Sequence, residues 1–124
     1  ETGARNYALE RTVNMKVKDF IEKSRFTNLT GTSGLDREIR DVYVGDLLSR
    51  VMSSATAGSA WITIHTHMNI LAVAALNDLP LIIIPEGINV PDPVVEKAVE
   101  ENIAIASADC TAYEVCRTCI NILG

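Results

Sequence analysis

Residues 60–87, AWITIHTHMNILAVAALNDLPLIIIPEG, constrain the fold more than any other part of the chain. Ala60–His65 is rich in Ile, Thr and Trp, side chains that suit a pleated surface, and reads as a strand. Met68–Leu76 is dominated by Ala and Leu, is too long and too poor in β-branched residues for a second strand, and reads as a helix. Leu81–Ile84 is apolar without alternation, which suits a strand covered on both faces of a parallel sheet. Strand, helix and strand within 28 residues make a βαβ unit, whose crossover is expected to be right-handed.

The remaining elements fit around this unit. Val17, Phe20, Ile21 and Ser24 recur at helical spacing within Lys16–Ser24. Phe26–Thr30 reads as a strand and Gly31-Thr-Ser-Gly34 as a turn, because it lacks the GxxxxGK[ST] spacing of a phosphate loop. Leu35–Arg40 is charged and expected on the surface. Asp41–Val44 reads as a strand, and Asp46 is placed to cap a helix whose stripe is Leu47, Leu48, Val51, Met52 and Ala55. Asp92 as N-cap with Pro93 at the first helical position opens the next helix, with Val94, Val95, Ala98 and Val99 inward. Ile103–Ala106 reads as a short buried strand. Thr111-Ala-Tyr-Glu114 has the capping-box pattern and opens a last helix over Ala112–Leu123. The fold expected is three-layer α/β/α with a mostly parallel sheet of about five strands, Rossmann-like.

A chain of 124 residues with a net charge of −5 is expected to form one domain, and that charge disfavours nucleic acid or an anionic membrane as partner. No apolar run approaches the roughly 20 residues that span a bilayer, and no signal-peptide pattern opens the chain. The three cysteines show no disulfide framework, so the expected location is cytoplasmic. Residues 1–14 lack a period and their charges cancel; they read as a tail or an expression remnant, with the domain over 15–124.

Several residues carry possible chemistry. If the strand persists through His65-Thr-His67, both imidazoles share a face, and Glu86 or Asp109 is the possible third ligand of a metal-dependent hydrolase. Two histidines without a second fixed-spacing motif are a weak metal signal, and the preferred reading is that one is packed and the other starts the next helix. Cys116-Arg-Thr-Cys119 has CxxC spacing but falls on a stripe with Val115, Ile120 and Leu123, which favours packing over redox or metal chemistry. Cys110 lies just before the capping box with nothing nearby to activate it.

The better site is a sheet edge. Small ligands bind outside the carboxyl ends of strands in open α/β sheets. Those ends are expected at Thr30–Gly34, His65–Asn69, Pro85–Asn89 and Ser107–Thr111. Helix starts near Asn69 and Thr111 offer N–H groups to an anion, and Gly87 allows close approach to the backbone. The expected ligand-binding residues are Thr66, His67, Asn69, Glu86, Gly87, Ser107, Asp109 and Thr111, with His65 beside them. No nucleophile elbow, catalytic triad or carboxylate pair stands in a recognisable position, so binding without catalysis is expected.

From Met15 to Gly124 the order of elements resembles a DRTGG domain, as do the local pieces YVGDLLSRVM (43–52), AWITIHTHMNILAVAAL (60–76), LIIIPEG (81–87) and EENIAIASADCTAYEV (100–115). Where that family carries Gly-Asp-Arg and Thr-Gly-Gly, this chain has Thr66-His67-Met68 and Pro85-Glu86-Gly87. The resemblance implies a non-catalytic regulatory or interaction module, homodimeric and without a cofactor. Its expected partner is a small anionic ligand, nucleotide-like or phosphorylated, or another protein.

Overall fold

The computed structural model describes residues 14–124, so all but Asn14 of the expected tail lies outside the described residues. The elements run β1 (Met15–Lys16), α1 (Val17–Ser24), β2 (Thr27–Asn28), β3 (Glu38–Ile39), β4 (Asp41–Val44), α2 (Leu48–Ser54), β5 (Ser59–Ile62), α3 (Asn69–Asn77), β6 (Leu81–Ile84), α4 (Asp92–Glu100), β7 (Ala104–Ser107) and α5 (Ala112–Leu123). A five-stranded sheet has the order β2-β7-β6-β5-β4, with β4 to β7 parallel and β2 antiparallel at one edge. β1 and β3 form a separate antiparallel pair, Met15 opposite Ile39.

The period-two alternation of strand side chains sorts the core into two halves. Trp61, Ile82, Ile84 and Ile105 face α2, α3 and α4. Ala60, Ile62, Leu81, Ile83, Ala104 and Ala106 face α1 and α5, against Phe20, Val115 and Cys119. All four residues of β6 are buried, because both faces are covered. This is the three-layer α/β arrangement expected.

Polar groups tie the layers where backbone pairing runs out. The Asn77 amide donates to the Val51, Met52 and Ala55 carbonyls (3.3, 3.0 and 3.0 Å), closing the open C-terminal end of α2. The buried Trp61 indole N–H donates to the Gly45 carbonyl at 2.9 Å, so its large apolar body enters the core with its donor satisfied. Beyond β2, the Thr30 hydroxyl accepts from the Ile105 N–H at 3.0 Å, extending the ladder with a side chain.

Several expectations are corrected. Leu35–Arg40 is not wholly superficial: Ile39 is fully buried, because pairing with Met15 turns it into the core. The stripe of α2 is narrower than expected, since Leu47 and Met52 are exposed and Val51 is the buried residue of the helix. Val99 and Ile120 also face outward. Pro91, not Asp92, is the N-cap of α4, with no side-chain cap bond. Asp46 does not cap α2, whose N-cap is Leu47; its carboxylate is used elsewhere.

Candidate functional site

Parallel pairing aligns the carboxyl ends of β5, β6 and β7. Ile62 lies opposite Ile83, and Ile84 lies opposite Ser107. Beyond these pairs the Thr63 N–H donates to the Ile83 carbonyl (3.2 Å) and the Ala108 N–H to the Ile84 carbonyl (2.9 Å). The loops after the three strands therefore emerge along one edge.

Thr30–Gly34 is not part of that edge. Because β2 is antiparallel to β7, the chain leaves Asn28 in the opposite direction, and the Gly34 N–H reaches the Asn102 side-chain oxygen at 2.9 Å, before β7 begins. Its place is the amino-terminal end of the sheet.

Four of the expected residues come together. The Glu86 N–H donates to the Cys110 carbonyl and the Gly87 N–H to the Ala108 carbonyl, both at 2.8 Å, zipping the β6–α4 loop to the β7–α5 loop. Glu86 and Gly87 are consecutive residues at positive φ, +66° and +64°. A Cβ built on Gly87 would stand 3.3 Å from Asp109 Oδ1, so the glycine lets the Asp109 carboxylate lie against the backbone. Beside them a cleft of 370 Å³ opens, lined by Leu29, Gly87, Asn89, Asp92, Val95 and Ser107. Thr111 follows at the start of α5.

His67 and Asn69 lie on the same edge but line a different cleft, of 430 Å³, between α3 and Lys97 of α4 with its C-cap residue Glu101. β5 ends at Ile62, so His65-Thr66-His67 is a loop rather than a strand. His67 Nδ1 accepts from the Asn69 N–H at 3.2 Å, just ahead of Met68, the N-cap of α3. The described residues contain no group of three His, Cys, Asp or Glu placed to hold a metal ion, so His65, His67 and Asp109 do not form a metal trio.

The helix starts are less open to an anion than their positions imply. At α5 the Thr111 hydroxyl accepts from the Glu114 N–H (3.2 Å), while the Glu114 carboxylate accepts from the Thr111 N–H (3.0 Å). The Thr111 backbone N–H, and then its hydroxyl, hold the Glu114 carboxyl below its usual range. The α5 start thus carries its own anion. At α4, Asp92 occupies the first turn, Pro93 has no N–H, and the Val94 and Val95 N–H groups donate back to the Pro91 carbonyl. At α3 the Ile70 and Leu71 N–H groups donate to the His67 and Met68 carbonyls.

One residue of this edge escapes the expected set. Asp46 Oδ1 accepts from the Thr63 hydroxyl (2.8 Å) and the Ile64 N–H (2.9 Å), and the Thr63 oxygen accepts from the His65 N–H (3.2 Å). Asp46 pins the start of the loop that carries His65–Asn69. The strand-end rule applied to β4, which ends at Val44, would have pointed to it. Cys119 is buried, and burial, followed by the neighbouring Cys116, pushes its thiol up to about 12; it is a packed thiol rather than a reactive one. Cys116 and Cys110 are half-buried against the same core half.

No protein-family model matches the chain, and no curated protein matches it in sequence. Among solved structures it is similar to the CBS and DRTGG domains of the regulatory region of Clostridium perfringens pyrophosphatase, solved in complex with the activator diadenosine tetraphosphate. The TM-score is 0.67 at 12% identity, and the likeness covers 83% of this chain and 45% of that one, so this chain spans less than half of the similar structure. A likeness at this identity is one of fold, and that fold is related to the DRTGG module that the sequence resembles.

Proposed function

We propose that this chain is a non-catalytic regulatory domain that senses a small anionic ligand, nucleotide-like or phosphorylated, at the carboxyl edge of its sheet. The observation that carries the reading is the junction of Gly87 with Asp109 beside the cleft that Ser107 lines. Two loops are bonded backbone to backbone there, next to a cavity within the size range of small-molecule sites. The regulatory role of the similar pyrophosphatase region, and its nucleotide activator, support the same reading.

The charges refine it. Asp92 lines the cleft, Asp109 and Glu86 flank it, and no Lys or Arg is among the lining residues. A bare phosphate would be repelled, so the ligand is expected to bring a divalent cation that bridges its phosphates to one or two carboxylates.

Titration of the full chain with a nucleotide and acyl-phosphate panel, with and without Mg²⁺, tests this by thermal shift and amide NMR. The expected result is a rise in Tm of several degrees with Mg²⁺ present, and shifts confined to 86–92 and 107–111. No stabilisation at millimolar ligand under either condition would overturn it.

A protein-interaction reading has its own support. Val44, Leu47 and Ile64 are 48%, 68% and 47% exposed, and the Gly45 N–H to Ile62 carbonyl bond and the Asp46–Ile64 bond hold them at one corner of the sheet. Homodimerisation belongs to this reading. Light scattering on the purified chain would return about twice 13.5 kDa if the corner joins two copies.

A further inference from the structure

The amino-terminal end of the sheet, opposite the Gly87 edge, carries a cleft of 390 Å³ whose wall is charged in both signs. Asp36, Arg37, Glu38, Arg40, Gly58 and Asp78 line it. Arg37 is committed: its guanidinium meets Asp78 Oδ1 at 2.7 Å and donates to the Asn102 carbonyl at 2.9 Å. Arg40 is positioned but uncommitted. Its aliphatic stem rests on Gly58, where a built Cβ would come within 3.1–3.2 Å of Arg40 Cβ, Cγ and Cδ. Gly58 has φ +87°, and a side chain there would meet both strain and the arginine. Backbone bonds of 2.9 Å from the Arg40 N–H to the Gly58 carbonyl, and from the Gly58 N–H to the Asp78 carbonyl, tie this part of the wall together.

Among the described residues Arg40 forms no ion pair, and neither does Glu38, although the two line the same cleft two residues apart. Asp36 has only a loose partner, Lys18 at 3.9 Å. A cation and carboxylates thus stand across a small cavity without neutralising each other. A simple anion would meet Arg40 but also three carboxylates, and a simple cation would leave Arg40 unpaired. We propose that this cleft binds a small zwitterion of the α-amino-acid class, its carboxylate on the Arg40 fork and its ammonium on Glu38 and Asp36. The cleft is of a size for a small metabolite, and it is remote from the nucleotide site proposed above, so the two readings stand or fall separately.

The test is amide NMR titration of the whole chain with L-alanine, L-glutamate and L-lysine, with ethylamine and propionate as probes of one charge each. The expected result is saturable shifts at 36–40, 57–58 and 78–80 with an amino acid, and binding of each one-charge probe weaker by about tenfold or more. Arg40→Gln is expected to weaken amino-acid binding by about tenfold or more, and Arg40→Lys to restore part of it, with the spectrum elsewhere unchanged as evidence of folding. Absence of saturable shifts with all three amino acids, propionate binding as tightly as they do, or unchanged binding by Arg40→Gln would each overturn the proposal.

Discussion

Asp46 and Thr63, seventeen residues apart in sequence, are joined by a 2.8 Å hydrogen bond from a buried hydroxyl to an exposed residue's carboxylate. The same oxygen takes the Ile64 N–H, so one side chain completes the backbone where β5 ends and also ties down the β4–α2 turn. Asp46→Ala removes the acceptor of both donors. It is expected to cost about 1–3 kcal/mol, because a buried hydroxyl left without its acceptor loses more than an average hydrogen bond contributes. Urea unfolding should show a lower midpoint with an unchanged slope. A midpoint equal to wild type would mean that Thr63 finds another acceptor.

Three glycines at positive φ separate backbone strain from crowding. Gly31 (φ +58°) has nothing within 4 Å of a built Cβ, Gly87 would meet Asp109 Oδ1 at 3.3 Å, and Gly34 (φ +69°) would meet the Ala104 nitrogen at 2.9 Å. Alanine at Gly31 should cost about 1 kcal/mol from conformation alone. Gly87→Ala should cost more, because the carboxylate must move, and it should weaken any ligand held beside Asp109. Gly34→Ala should cost most, since its neighbour is backbone in a core strand. Midpoints ordered otherwise would show that the loop at Gly34 relaxes.

The parts of the fold that local chemistry determines were legible in the sequence. The strands at Asp41–Val44 and Leu81–Ile84 and the capped helix Ala112–Leu123 lie where apolar runs and the Thr111–Glu114 box place them. What non-local pairing decides was not legible. Nothing local says that Thr27–Asn28 runs antiparallel to β7, and that direction alone moves Thr30–Gly34 to the far end of the sheet. The charged neighbours of Ile39 predict exposure, yet pairing with Met15 buries it. The site was legible in part for the same reason. The strand-end rule finds Glu86, Gly87, Ser107 and Asp109, but which helix each loop packs against divides His67 and Asn69 from them.

The capping box at α5 predicts an acid-side effect. Hydrogen bonds from Thr111 lower the Glu114 carboxyl, so they stabilise the fold above the carboxyl's unfolded value of 4.5 and are lost as pH falls through its lower folded value. Thr111→Ala keeps the backbone N–H and removes the hydroxyl's bonds, so it should lower Tm at neutral pH, and the part of its deficit that comes from the hydroxyl–carboxylate bond should shrink as the solution becomes more acidic than that folded value. A deficit that stays constant down to pH 2 would mean that the neutral cap, rather than the carboxylate, carries the effect.

Cys119 predicts the opposite limb of the pH profile. Burial raises its thiol from an ordinary value of 9.0 to about 12, so folded and unfolded chains hold the same proton below about 9, and above that the unfolded chain loses it first. The unfolded state then binds fewer protons than the native state, and stability falls by about 1.4 kcal/mol per pH unit until the folded thiol ionises. Cys119→Ala lacks this term. It should start less stable at pH 7, because a small cavity replaces a packed sulfur, and it should lose less stability between pH 9 and 11 than wild type does. Tyr and Lys titrations are common to both proteins and cancel in the difference. In native protein at pH 8 an alkylating reagent should modify Cys119 last of the three cysteines, its protection lifting on unfolding. Parallel stability curves for the two proteins above pH 9, or early labelling of Cys119, would place that thiol in contact with water.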